Sequence, residues 1–181
     1  PAAKNLLRNF SVQAQTAFQA LDAIESSTKV GENLPIQADF KHLIRQSATK
    51  IEAIAKNRSL DLDIRLPDEQ VYVWINPQQM KKTLSTLMLH GVQSAPFGTQ
   101  LKLHHNLEGN SISFFWSWKG AGLDSFFVGH DLSNWDKNSD IPATLLPYIQ
   151  AREVFTDLRL ESSPGVGVTL RFSLPRAVRS E

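Results

Sequence analysis

The stretch 71–98, VYVWINPQQMKKTLSTLMLHGVQSAPFG, predicts a strand that leads directly into a long helix. The strand ends at Ile75, Asn76 is a good N-cap, and Pro77 suits the first helical turn. Apolar residues then recur at helical spacing until Pro96 ends the helix. The segment is therefore predicted to form a strand and an amphipathic helix joined without a long loop.

This helix resembles the N-box helix of histidine-kinase ATPase domains, which belong to the GHKL superfamily. The family helix reads approximately D-P-x-R-L, a spacer, and N-L-L-x-N-A-x-K-F-T-P-x-G, and its second Asn holds the magnesium ion that bridges the ATP phosphates. On one helical face, Thr86 stands at the first Asn, His90 at the magnesium Asn and Gln93 at the Lys. Magnesium prefers oxygen ligands, and an imidazole offers only nitrogen. The remaining frame matches at Asn76, Pro77, Gln78, Gln79, Met80, Leu87, Met88, Gly91, Pro96 and Gly98.

A second resemblance lies at 111–123, SISFFWSWKGAGL, which is similar to the strand and loop of the family's D-x-G-x-G adenine box. Gly120 and Gly122 match the two glycines, and Trp118 stands at the Asp that would accept a hydrogen bond from the adenine amino group. An indole has one N–H donor and no acceptor. The resemblance therefore implies that adenine recognition is lost, and the indole is large enough to fill the adenine pocket.

The family's G-x-G-L turn, which brings backbone N–H groups to the phosphates, corresponds to residues 142–145, PATL. Pro142 has no N–H, and Pro142 and Thr144 carry Cβ atoms where the phosphates need close backbone approach. The resemblance thus implies that the phosphate cradle is missing. The closing hairpin at 160–175, LESSPGVGVTLRFSLP, by contrast matches the family pattern E-S-x-P-G-x-G-T-x-F-x-F-x-L-P well.

The resemblance covers approximately residues 39–175 and agrees with the other periodic segments. Asp39 is predicted to cap a helix, strands are predicted at about 60–66, 71–75, 100–105 and 111–118, and a further helix at about 142–156. The predicted fold class is α+β: a two-layer α/β sandwich of mostly antiparallel strands with helices on one face, GHKL ATPase-like, preceded by an N-terminal helix.

The predicted domain organisation has three parts: residues 1–38 are the N-terminal helix and a linker from 29 to 38, residues 39–175 the degenerate ATPase-like domain, and residues 176–181 a tail. The first part carries a heptad seam of apolar residues that predicts pairing with other helices. The resemblance implies a dimerisation or histidine-phosphotransfer helix and hence a homodimer, and the alternative is a helix that folds back onto its own domain. Because the chain begins with Pro1, upstream domains are expected. The seam residues are Leu7, Phe10, Ala14, Ala17, Leu21 and Ile24.

The segment 124–141 occupies the position of the family's ATP lid and is unusually aromatic for a loop. Phe126, Phe127 and Trp135 are candidates for anchoring a partner protein. Alternatively, the three side chains fold inward and plug the vacant pocket.

Composition limits the remaining function classes. The 181 residues are 41% hydrophobic, carry a formal net charge of +1 and include no cysteine. Scattered and balanced charges give no reason to expect a nucleic-acid partner, and no apolar run of membrane length is visible. The five histidines show no metal-ligand spacing, so no metal site is expected. We expect a cytoplasmic domain.

The leading hypothesis is a degenerate histidine-kinase-like domain that acts through protein–protein interaction in a two-component-type pathway. Its expected partners are a response regulator or a histidine kinase, no cofactor is expected, and whether it is an enzyme stays open, with histidine protein kinase as the activity if it is. One alternative keeps ATP and magnesium through altered contacts, in which Thr86, His90 and Gln93 meet the phosphates and Trp118 stacks on the base. Another is a small-molecule sensor that uses the vacated pocket, lined by Trp118, His90 and Phe126.

Overall fold

The computed structural model describes residues 34–122 and 145–177. Both ranges belong to one compact unit that begins at Leu34. In chain order the elements are β1 (Ile36–Asp39), α1 (Phe40–Asn57), β2 (Asp61–Ile64), β3 (Tyr72–Ile75), α2 (Pro77–Ser94), β4 (Gln100–Glu108), β5 (Ser111–Trp118), α3 (Leu146–Ala151), β6 (Thr156–Ser163) and β7 (Gly167–Pro175).

Both long helices begin where the sequence predicts. The Asp39 side chain accepts a hydrogen bond from the backbone N–H of His42 at 3.3 Å and so caps α1. The Asn76 side chain accepts from the N–H groups of Gln78 and Gln79, at 3.0 and 3.1 Å, and caps α2. These bonds satisfy backbone donors that have no partner within the helix.

The strands form two sheets. The larger has the order β2-β4-β5-β7-β6, in which only the β2–β4 pair is parallel. The smaller pairs β1 with β3 in antiparallel register. The predicted α+β class of mostly antiparallel strands is therefore confirmed.

Helices α1 and α2 pack on one face of the five-stranded sheet. Phe40 of α1 packs against Phe114 of β5 with ring centroids 4.6 Å apart. Phe114 in turn stacks on Phe172 of β7 at 5.5 Å, and Phe155 reaches Phe172 at 4.2 Å. This aromatic cluster lies in the main hydrophobic core between the two layers. No helix within residues 34–122 and 145–177 is long and apolar enough to cross a membrane.

Two local predictions were wrong. Residues 36–38, assigned to a linker, belong to β1, because they pair with β3, a partner more than thirty residues later in the chain. The helix expected at about 142–156 is described only as Leu146–Ala151. It cannot continue to Thr156, because Phe155 turns in to pack on Phe172 and Thr156 already pairs with Ser173 of β7.

Candidate functional site

The polar face of α2 carries the three positions at which the sequence departs from the nucleotide-binding pattern. Thr86, His90 and Gln93 all lie on this helix and are partly buried. The Thr86 hydroxyl donates to the carbonyl of Lys82 at 2.9 Å, a bond within the helix itself. The backbone carbonyl of Gln93 accepts a hydrogen bond from the Arg58 guanidinium at 2.6 Å. Two of the three positions therefore take part in ordinary helix-stabilising contacts.

His90, at the magnesium-Asn position, is hydrogen-bonded to a residue that the sequence did not single out. Its Nδ1 lies 2.7 Å from the hydroxyl of Tyr148 in α3, and the two rings meet edge to face at 5.0 Å. Tyr148 is 0% exposed. The side chain of Tyr148 thus approaches α2 where a magnesium ligand would be needed.

Burial favours the uncharged form of both members of this pair. It lowers the pKa of His90, which favours the neutral imidazole, and raises the pKa of Tyr148, which favours the neutral phenol. A neutral imidazole and a neutral phenol share one hydrogen bond without any net charge. The pair adds no negative charge that could attract a divalent cation.

Trp118, at the adenine-Asp position, turns its side chain toward the helices. It is 5% exposed and lies beside Trp116, with ring centroids 6.5 Å apart. Both indoles approach α2 at Gly91: a Cβ added there would meet Nε1 of Trp116 and lie 3.2 Å from Cζ3 of Trp118. The absence of a side chain at Gly91 therefore creates the space that these two indoles fill.

Local packing explains why glycine is present at Gly120 and Gly122, the two positions that match the adenine box. A Cβ on Gly120 would come within 3.1 Å of Cδ of Pro96. Gly122 has a φ of +81°, and a Cβ there would lie 2.8 Å from the carbonyl oxygen of Ser163. The loop is further held by a 3.2 Å hydrogen bond from the Gly165 N–H to the Ala121 carbonyl. Close packing of this loop on the β6–β7 turn requires glycine with or without a nucleotide.

The structure thus packs Trp118 against Gly91, the residue that follows His90, and it adds Tyr148 and Trp116, which sequence reasoning missed. Several predicted site and interaction residues lie outside the described residues, and their roles stay predictions: Leu7, Phe10, Ala14, Ala17, Leu21, Ile24, Phe126, Phe127, Trp135, Pro142 and Thr144.

The described histidines do not form a metal site. His104 stacks on Phe115 with ring centroids 5.0 Å apart, and His105 Nδ1 lies 3.1 Å from the Arg65 carbonyl. Within residues 34–122 and 145–177, no group of three or more His, Cys, Asp or Glu side chains could hold a metal ion.

Comparison with solved structures identifies the fold. The catalytic domain of the histidine kinase ThkA superposes with a TM-score of 0.63 at 14% identity and covers 78% of this chain and 95% of that one. The Acinetobacter baumannii histidine kinase AdeS has a TM-score of 0.62 at 12% identity, over 97% of this chain and 84% of that one. The mycobacterial sensor histidine kinase MprB has a TM-score of 0.62 at 11% identity, over 81% of this chain and 100% of that one.

No protein-family model matches the chain, and no curated protein matches it. The likeness is therefore one of fold: the chain has the architecture of a histidine-kinase ATPase domain, as its sequence predicted.

Proposed function

We propose that this chain is a pseudo-ATPase domain of the histidine-kinase type, which does not bind magnesium and ATP in the manner of that family. It acts through protein–protein interaction in a two-component-type signalling pathway. The observation that carries the proposal is the hydrogen-bonded pair of His90 and Tyr148 at the magnesium position, with its bond of 2.7 Å.

The pair opposes magnesium binding in two ways. His90 presents nitrogen where the hard cation prefers oxygen, and its Nδ1 is already engaged by the Tyr148 hydroxyl. Since Tyr148 is fully buried, a nucleotide that needed this space would have to displace a packed aromatic side chain. Ligand chemistry and packing therefore act in the same direction.

Trp118, which packs against Gly91, removes base recognition. Its buried indole has no acceptor for the adenine amino group, and its ring takes up core volume beside Trp116. Each charged or specific hydrogen bond lost is worth about 1 to 3 kcal/mol. Losing magnesium and base contacts together lowers affinity by several powers of ten, at about 1.4 kcal/mol per factor of ten.

The proposed partners are a response regulator or a histidine kinase. A histidine kinase of the same fold, ThkA, has been solved in complex with the response regulator TrrA, and it superposes on 96% of this chain with a TM-score of 0.64. We further propose that the chain is cytoplasmic and pairs with a second copy through the heptad seam of its N-terminal segment.

The decisive experiment is a calorimetric titration of the purified chain with ATP and magnesium, with ADP and a magnesium-free sample in parallel. We expect no saturable heat at millimolar nucleotide. Thermal unfolding supplies a second readout, because a ligand at 100 times its dissociation constant stabilises a protein by about 2.7 kcal/mol. The melting temperature should be the same with and without nucleotide.

Magnesium-dependent micromolar binding would contradict the proposal and favour the alternative of altered nucleotide contacts. Thr86, His90 and Trp118 would then be the first positions to substitute. The interaction half of the proposal is tested separately by titrating the chain with a receiver domain and with a histidine-kinase dimerisation domain. Failure of both to bind would count against a two-component role.

A further inference from the structure

The face of the five-stranded sheet that points away from the helices contains an open groove of about 700 Å³. We call it the open-face groove, and its side chains come from four adjacent strands and the loops at their ends. One row across it is fixed by strand register: Lys102 of β4 faces Ser117 of β5, Ser117 faces Thr169 of β7, and Thr169 faces Glu161 of β6. This row is therefore a polar strip along the groove, whose lining also includes Trp118.

Positive charge is concentrated at one end of this strip. Lys102 lies directly across from Ser117, and Lys119 follows Ser117 by two residues in the chain. Both lysines are exposed, and neither forms an ion pair in the part of the chain that the structure describes. Asp63 of β2 lies directly across from Lys102 and feels its positive charge, but the Asp63 carboxylate is bound to Arg65 at 3.0 Å. Two lysines that neighbour one hydroxyl, one across the strands and one along the chain, are suited to bind a carboxylate.

The other end of the strip carries the opposite charge. Glu161 lies three strands from Lys102, which is about 14 Å at the usual strand spacing of about 4.8 Å. Its carboxylate would repel a second acidic group and so fix where along the groove an acidic side chain can bind. The arrangement therefore selects one well-placed carboxylate over a uniformly acidic ligand.

The rim adds an apolar contact surface. Val166, at the β6–β7 turn, lines the groove and is 69% exposed. An exposed apolar side chain beside a charged floor is typical of surfaces that bind proteins. A single small anion would leave this rim and most of the volume unused.

We propose that the open-face groove binds an extended segment of a partner protein, in which one acidic residue is flanked by apolar residues on the same side. The carboxylate lies between Lys102 and Lys119 with the Ser117 hydroxyl as an additional donor, and the apolar neighbours contact the Val166 rim. The inference rests on the proposed interaction function and supplies a surface for it on the sheet face opposite α2, the helix that carries His90.

The test is a two-dimensional NMR titration of the full chain with a capped seven-residue peptide. Its second, fourth and sixth residues are Leu, Glu and Leu, which share one face when the peptide is extended, and the others are Ser. We expect saturable shifts confined to amides around Lys102, Ser117, Lys119 and Thr169. Lys102→Glu should weaken binding at least about tenfold. Lys82→Glu, an equal charge change on α2, should leave the affinity unchanged.

A matched peptide with Lys in place of the central Glu should produce no shifts in the groove. Equal binding of both peptides, shifts confined to other surfaces, or sodium acetate as effective as the peptide would each overturn the proposal. If Lys102→Glu disturbs the spectrum of the free chain, Lys119→Glu provides a second charge reversal. If the native chain binds a receiver domain but not the peptide, only the groove proposal is refuted. If the native chain binds neither, the proposed interaction function is refuted as well.

Discussion

Neighbouring residues of β5 belong to two different surfaces of the protein. Trp116 and Trp118 point toward the helices and are almost fully buried, whereas Ser117 between them faces the open-face groove. On the helix-covered face, large apolar groups fill the space beside Gly91. On the open face, lysines and hydroxyls remain accessible. Under the proposed function, the covered face no longer contacts a nucleotide, and the polar groups available for recognition lie on the other side.

The largest expected effect is the difference in stability loss between substitutions at two adjacent residues, one on each face. Trp118→Ala should lower the free energy of unfolding by about 3 to 5 kcal/mol, because it leaves a cavity against Gly91 and Trp116. Ser117→Ala should change it by no more than about 0.5 kcal/mol, because that side chain is on the groove side. Urea unfolding followed by far-ultraviolet circular dichroism measures both.

Trp118→Phe removes less of the side chain, so its change in the free energy of unfolding should lie between those of Trp118→Ala and Ser117→Ala. If Ser117→Ala were as destabilising as Trp118→Phe, the two faces would not differ as described. The open face would then contribute to folding and not only to recognition.

A second prediction tests how tightly the covered face is packed. In an exposed helix interior, Gly→Ala stabilises by up to about 1 kcal/mol. Gly91→Ala should instead destabilise by about 1 to 3 kcal/mol, because the new Cβ would meet Nε1 of Trp116. In a Trp116→Phe background, which removes that nitrogen, the same substitution should become neutral or stabilising.

The double-mutant cycle of Gly91→Ala and Trp116→Phe can also contradict tight packing of the covered face. If Gly91→Ala stabilised the protein with Trp116 present, the indole would have room to move, and the covered face would hold a usable cavity. Such a result would revive the small-molecule sensor alternative. Trp116 Nε1 has no hydrogen-bond partner among the described residues, so a ligand acceptor could then satisfy it.

Local signals in the sequence were sufficient for most of the fold. The caps Asp39 and Asn76, the period of α2 and the glycine turn before β7 all act within a few residues, and each predicted its element. The strand β1 was missed because its identity depends on pairing with β3, which no short window reveals. The short α3 was overestimated because the packing of Phe155 on Phe172 is also a tertiary effect.

The candidate site was predicted only in part, for the same reason. His90 and Trp118 could be found because they replace residues of a known pattern. Tyr148 could not, because its only signal is a hydrogen bond to a residue 58 positions away. The open-face groove depends on the register of four strands, which alternation in a single strand cannot supply. Sequence therefore predicted which polar contacts of the resembled pattern are absent, and tertiary structure was needed to show which side chains surround those positions.

The smallest expected effect concerns the pair of His90 and Tyr148. Tyr148→Phe should lower the free energy of unfolding by about 1 kcal/mol, the usual net value of one hydrogen bond. Burial lowers the pKa of His90 below the ordinary value of 6.5, so the unfolded chain binds more protons as the pH falls through that value. The contribution of neutral His90 should therefore be present above about pH 6.5 and lost progressively below it.

The His90→Gln variant separates the titration of His90 from that of the other histidines, because the native chain and the variant share all the others. Gln cannot titrate but can still accept a hydrogen bond from the Tyr148 hydroxyl. The native chain should thus lose more stability than the His90→Gln variant between about pH 7.5 and about pH 5.5 in urea unfolding at matched ionic strength. Parallel curves would mean that His90 is as accessible to protons when folded as when unfolded. The surroundings of His90 would then be open to water. The covered face would not be packed at this position, and the proposed loss of nucleotide binding would lose its main support.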